Sequence, residues 1–539
     1  MSRREAWLSA VAVFGVALAI RIWAASFVVF PRPEDAAYYV SVAQSLVQGH
    51  GLFSQAIWSY QTPPLTFPRP AFEVWLPLPS FLMAIPMLVL GPTLIAAQAA
   101  AVLLGSLTAV LAWRLALDVA EQQAFPRGRA LALTLGVGLA SAAYLPLVLA
   151  SVEPDSTAPF TAIVLGAFVL TGRIVRAPSN RRLVALGLLI GLAGLTRNEA
   201  VWLGLAWAVV ALGIALREVP GHGRRRLTWA RLVAVPGVVA LAVYAPWAIR
   251  DWLTFGTPLP GQALANALSL QGTDIFAWSN PPTLSRYLGA GLGTLLDLRV
   301  TGFVHNLVEV LLLLGIPVSA VGLLALPWTV RAPTIRPLLL FSILVFAETT
   351  LIFPVATTWG TFLHAAGPAE VLLLLSAGLG LDRLIDRVRA ARGWTRPVAW
   401  LGPAFTISAA AVLTLALLPS EGATAKASEA RYSALPVALA DAGVSLDSLP
   451  GPIITDTPIW FATTTGHAAI AFPHEDSTSV LDLADYFGST LLVLDSQTAA
   501  AWAGPQGPPA TCFTPLVLTH LGDDPDPLAG VTVYRIRCP

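Results

Sequence analysis

The chain has 539 residues, of which 56% are hydrophobic and 12% charged, with a mean hydropathy of +0.70. A water-soluble core cannot bury that share of apolar side chains, and the apolar runs reach the ~20 residues that cross a hydrocarbon layer, so a polytopic membrane protein is expected and a soluble enzyme excluded. The formal net charge of +1 conceals a strong separation of charge along the chain, and nucleic acid is not an expected partner.

The first apolar run, residues 7–30, follows Arg3 and Arg4 and is too long for a signal-peptide core. It reads as an uncleaved first span with a cytoplasmic N-terminus. Further spans are expected near 93–113, 130–150, 157–172, 183–196, 200–216, 232–249, 304–327, 337–354, 366–381 and 398–418, giving about eleven transmembrane helices. Under this assignment 21 of the 32 basic residues, Arg129, Arg176, Arg383 and Arg396 among them, fall in inner segments. That is the positive-inside pattern of a multi-pass membrane protein.

Residues 75–91 are excluded as a span because Pro77, Pro79 and Pro86 interrupt them; they read as a juxtamembrane helix on the outer face. Two long outer loops result, 31–74 and 251–302. An odd number of spans divides the chain into a transmembrane domain, 1–418, and an extracytoplasmic tail, 419–539. The tail holds four basic and thirteen acidic residues. Its segments 452–456, 468–472, 490–495 and 531–537 read as strands, and 429–442 and 478–487 as helices, so a small α/β domain is expected. Cys512 and Cys538 both fall there, in a compartment that permits a disulfide; two free buried thiols are the alternative.

Chemistry is suggested by acids at the outer ends of spans. The first outer loop opens with Glu34 and Asp35, and Glu153 and Asp155 stand beyond the third span. Each patch has a local explanation as the cap of a helix start. On one face together, they could hold a divalent cation, with Asp35 and Asp155 as ligands, or divide general-base and orienting roles. Arg21, Glu309, Glu348 and Glu370 lie within spans at similar depth, which points to a cavity opening outward; snorkelling is the alternative for Glu309 and Glu370. His50 and His364 have no zinc-site spacing and read as exposed loop histidines.

The acidic pair followed by Tyr38-Tyr39 and then Ala43, Leu46 and Gly49 resembles the first outer loop of the GT-C superfamily, polytopic enzymes that take a sugar from a polyprenyl-phosphate carrier. More narrowly it is similar to the bacterial dolichyl-phosphate-mannose protein mannosyltransferase and aminoarabinose transferase type. The Trp75-Leu76-Pro77-Leu78 run ending in Gly91, the Gly191–Arg197 segment, and Pro246-Trp247 to Arg250 with Phe255-Gly256 resemble further family elements. The resemblance covers roughly residues 1–260.

It implies an all-α GT-C-like membrane domain carrying a small α/β domain, and inverting transfer of a monosaccharide from a polyprenyl-phosphate donor to an acceptor hydroxyl on protein, lipid or glycan. Asp35, or its neighbour Glu34, would be the general base; the family often has Asp before Glu, and here the order is reversed. Asp155 or Glu153 would be the second-loop acid, as orienter or metal ligand. Arg197 and Arg250 would bind the donor phosphate, whose charge grows as the glycosidic bond breaks; contact with membrane lipid phosphate is the alternative. Trp23, Trp58, Trp75, Trp247 and Trp252 fit an interfacial belt and could stack on sugar rings. The rival from another class is a transporter or lipid flippase, against which the lack of an internal repeat counts.

Overall fold

In the computed structural model the described residues are 1–217, 224–395, 398–504, 511–518 and 526–538. Arg396 lies outside them, as do the side chains of Arg217, Arg224, Arg225 and Arg226. Helix α1 (Arg3–Ala25) starts at a capping box between Ser2 and Glu5. The loop beyond it holds α2 (Glu34–Val47) and the strands β1 (Phe53–Ser54), β2 (Ala56–Ile57) and β3 (Arg69–Pro70). Helix α3 (Leu78–Leu90) starts with prolines and turns Ile85, Leu88, Val89 and Leu90 outward, as a helix lying along a bilayer would. Then come α4 (Leu94–Gln122), α5 (Arg127–Ala143), α6 (Leu145–Val152), α7 (Thr157–Arg176), α8 (Asn180–Gly194), α9 (Ala200–Arg217) and α10 (Arg224–Phe255).

The long connection that follows carries α11 (Ala263–Leu268) and α12 (Leu284–Gly289) and ends in α13 (Gly291–Val304). After a π-helical stretch at His305–Leu312 the chain continues as α14 (Val318–Thr329), α15 (Arg336–Leu351), α16 (Thr361–Ala365), α17 (Gly367–Ala391) and α18 (Leu401–Asp441). Among the described residues six helices are long and apolar enough to cross a membrane, and seven if the bent pair α5–α6 is one span. The sequence-expected spans 183–196, 200–216, 337–354 and 366–381 correspond to α8, α9, α15 and α17, while 304–327 is broken between the π-helical stretch and α14.

The 52° bend between α5 and α6 has a local cause. Pro146 has no N–H, so the Ala142 carbonyl four residues earlier loses its helical donor. Arg21, buried within α1, donates to that carbonyl at 3.1 Å and to Ser151 Oγ at 3.0 Å. Helix α4 comes close enough to close this corner because Gly105 has no side chain; a Cβ there would lie 1.9 Å from Ser151 Oγ. The four intramembrane ionisable residues have different surroundings. Arg21 serves the bend, His305 pairs with Glu309 at 2.7 Å, the Trp202 indole donates to Glu348, and Glu370 is buried at the start of α17.

Helix α18 joins what the sequence suggests are two elements, the last span and the helix 429–442, into one 41-residue helix. The tail then forms β4 (Ile453–Thr455), α19 (Pro458–Thr465), β5 (Ala469–Ala471), α20 (Ser477–Phe487), β6 (Leu491–Asp495), α21 (Ser496–Ala503), β7 (Phe513–Leu516) and β8 (Val531–Ile536). The four expected strands and the helix near 478–487 are all present. Sheet order is β2-β5-β4-β6-β8-β7, with β2, β5, β4 and β6 parallel and β8 and β7 antiparallel additions. The edge strand β2 comes from the first loop, with Ala56 opposite Ala469, so the tail's sheet is completed by the membrane domain. Cys512 and Cys538 are disulfide-bonded, tying β7 to the end of β8.

Candidate functional site

Four segments converge on the side of the membrane domain that carries the tail: the start of α2, the turn before α7, the turn between α8 and α9, and α16. Helix α2 is held because Ala36, Ala37, Tyr38, Tyr39, Val40, Val42 and Ala43 are buried, more than one face of the helix. Tyr38 packs on Trp75 at 4.2 Å between ring centroids, and its hydroxyl accepts from the Phe72 amide at 2.6 Å. The Asp35 side chain stays 28% exposed and faces His364, whose Nε2 is 3.5 Å from Asp35 Oδ2.

The other ring nitrogen of His364 meets Asp155. His364 Nδ1 lies 2.8 Å from Asp155 Oδ2, and Thr157 donates to the same carboxylate from its amide at 2.7 Å and its hydroxyl at 3.0 Å. Asp155, just before the N-cap Ser156, thus makes an Asx turn onto the first residue of α7 and also holds the imidazole. Burial opposes the charged form of His364, but the charge and hydrogen bond of Asp155, with Asp35 behind them, raise its pKa above the usual histidine value. His364 is 7% exposed, which corrects the expectation of an exposed loop histidine; His50 is exposed as expected.

Arg197 closes the far side of the site. Its Nη1 donates to Ser156 Oγ at 2.9 Å, and its Nη2 to the Thr361 carbonyl at 3.2 Å, at the start of the helix that bears His364. Nε and Nη2 together clasp Glu199 at 3.1 and 2.7 Å. Arg250 lies elsewhere on this face: it pairs with Asp251 at 2.9 Å and stacks over Trp247 and Phe255 at 4.8 and 5.2 Å. Neither arginine is without a carboxylate, a feature the sequence reading of them as open phosphate sites did not include. Arg32, whose Nε is buried without a hydrogen-bond partner, makes no ion pair among the described residues.

The two members of each acidic pair have different surroundings. Glu34 Oε1 accepts from the amides of Ile459 at 2.9 Å and Trp460 at 3.3 Å, in the first turn of α19. Burial raises its pKa to about 8, the two amide bonds opposing and the Asp35 and Asp456 carboxylates adding. Glu153 does not reach His364; burial and its neighbours Asp155 and Glu421 push its pKa well above the carboxylate range.

A divalent cation held between Asp35 and Asp155 does not fit these residues as arranged. The His364 ring spans the gap and faces one carboxylate with each nitrogen, Asp155 at 2.8 Å and Asp35 at 3.5 Å. Among the described residues no group of three or more His, Cys, Asp or Glu side chains is placed to hold a metal ion.

The chain matches no protein-family model and no curated protein. Solved structures do resemble it. The oligosaccharyltransferase of Archaeoglobus fulgidus, in complex with Zn and sulfate, superposes with a TM-score of 0.57 at 14% identity, over 92% of this chain and 69% of that one. The oligosaccharyltransferase AglB from Archaeoglobus fulgidus, with an inhibitory peptide and a dolichol-phosphate, gives 0.52 at 12% identity, over 93% and 71%. ArnT from Cupriavidus metallidurans bound to undecaprenyl phosphate gives 0.51 at 15% identity, over 98% of both chains. The fold is therefore shared with these structures: a largely helical, apolar domain with a small C-terminal sheet domain.

Proposed function

We propose that the chain is a membrane glycosyltransferase that moves a monosaccharide from a polyprenyl-phosphate carrier to an acceptor hydroxyl. The protein lies in the bacterial inner membrane with its N-terminus in the cytoplasm and its site and tail outside, the orientation favoured by the distribution of arginine. One observation carries the reading: Asp35 and Asp155, from separate loops, meet on the two nitrogens of one imidazole, and Arg197 grips Ser156 beside them.

Asp35 is the general base. It keeps an exposed edge, and it receives the acceptor proton as the hydroxyl oxygen attacks the anomeric carbon from the side opposite the phosphate. The bond from that carbon to the phosphate oxygen breaks, its electron pair stays on the lipid phosphate, and the configuration inverts. Asp155 acts through His364, orienting the ring that faces Asp35. Arg197 stabilises the leaving phosphate, sharing its guanidinium with Glu199.

The test uses the purified full-length protein, undecaprenyl-phosphate donors carrying labelled sugars, and cell-envelope extract as acceptor. Asp35→Asn lowers kcat by about 10²–10⁴-fold while donor binding persists. Transfer that survives at the wild-type rate in Asp35→Asn leaves the site without a base and sinks the assignment.

A further inference from the structure

The tail's parallel strands have the arrangement of a doubly wound sheet. In the order β5-β4-β6 the chain runs from β4 through α19 to β5 on one side, then through α20 back across to β6 on the other. The switch point thus lies between β4 and β6, outside their carboxyl ends, where open α/β sheets bind ligands. Anions in such sheets rest on the amides that begin the helix after the first strand. Here that helix is α19, and the carboxyl group on its amides is not a ligand but Glu34 of the first loop.

We propose that the tail uses this crevice to grip the catalytic loop, and that Glu34 is the positioning residue that fixes the Asp35 base. The inference rests on the glycosyltransferase reading above. The grip has several independent parts on both sides of Glu34. Trp460 Nε1 donates to the Pro31 carbonyl at 3.0 Å, three residues before Glu34. Phe30 stacks on Tyr432 of α18, with ring centroids 5.6 Å apart and planes 8° apart, and meets Trp460 edge-on. Further along, β2 pairs in register with β5. The chain from Phe30 to the first turn of α2 is therefore attached to the tail, and Asp35 is the next residue after the clasped side chain. Helix α2 has no side-chain cap of its own at Pro33, so its starting position depends on this attachment.

Glu34 works as a hydrogen-bond acceptor, and this separates positioning from catalysis. A glutamine keeps the accepting oxygen but cannot take a proton from an acceptor hydroxyl; an alanine loses both. In the transfer assay above, Glu34→Gln retains kcat within a few-fold of wild type. Glu34→Ala loses on the order of 10²-fold in kcat with the donor KM unchanged, as displacement of a base by about 1 Å does. Trp460→Phe, which removes only the indole donor to Pro31, gives a smaller loss in the same parameter and guards against misfolding of the alanine variant. Glu34→Gln as inactive as Asp35→Asn overturns the inference, because Glu34 is then the base itself. Glu34→Ala at full kcat overturns it as well. A wild-type protein that transfers no sugar from any donor removes the enzyme reading and this inference with it, and is distinguished by occurring before any variant is compared.

Discussion

The two ends of the membrane domain treat their carboxylates differently. At the arginine-rich end acids are neutralised by guanidinium: buried Asp118 accepts from Arg114 at 2.6 Å and Arg176 at 2.7 Å, and Arg129 binds Asp382 through two nitrogens at 2.6–2.9 Å. At the site end Asp35 and Asp155 share one imidazole, and Glu34 rests on backbone amides. The guanidinium groups nearby take Glu199 and Asp251 instead. For Glu34 the burial raises the pKa against the two amide bonds that it accepts. Guanidinium pairing fixes the scaffold at one end, and at the other Asp35 and Asp155 are held without it, on the imidazole between them.

This contrast is open to attack, beginning with its largest consequence after the base itself. His364→Ala leaves two carboxylates facing an unfilled gap, and kcat falls by about 10–100-fold through misplacement of Asp35, with wild-type activity indifferent to chelators throughout. Loss of wild-type transfer on adding EDTA, restored by a divalent cation, contradicts the arrangement in which the imidazole spans the gap. Next, Arg197→Ala raises the donor KM and lowers kcat by about tenfold or more, since a charge-assisted contact to phosphate contributes roughly 1.5–3 kcal/mol. Arg250→Ala, whose guanidinium is stacked between Trp247 and Phe255, has the smaller effect; equal effects, or the reverse order, assign the phosphate to Arg250. At the opposite end Arg129→Ala costs about 0.5–1 kcal/mol of stability, because the pair is partly solvated, and leaves kcat and KM unchanged. Altered kinetics in that variant would mean that the scaffold end is coupled to the site.

Much of the architecture is legible in the sequence because it depends on local pattern. Apolar length and the placement of arginine give most of the helical segments, and runs such as Leu491–Asp495 and Val531–Ile536 show as strands through their β-branched and aliphatic content. Three prolines set α3 apart from the spans. What the sequence does not display is decided by distant contacts. His364 reads as a loop residue until the turns at Asp155 and Asp35 enclose it, although a lone histidine in an apolar stretch on the same face as both acids was a usable signal. Glu34 and Asp35 are equivalent as neighbours in sequence, and only the tail, more than four hundred residues away, makes them different. The pairing of Arg197 with Glu199 was visible as a two-residue spacing, but a turn that brings two such side chains together is not the default for that spacing.

The unbroken course of α18 has a consequence for how substrates meet this protein. At 1.5 Å per residue, its 41 residues extend about 60 Å, twice the hydrocarbon thickness, with no linker where the chain leaves the lipid. The tail is mounted on a post instead of a tether. Its height over the bilayer is thereby set, and on the proposed function an acceptor must present its hydroxyl at that level, as no swinging module can reach out to collect it.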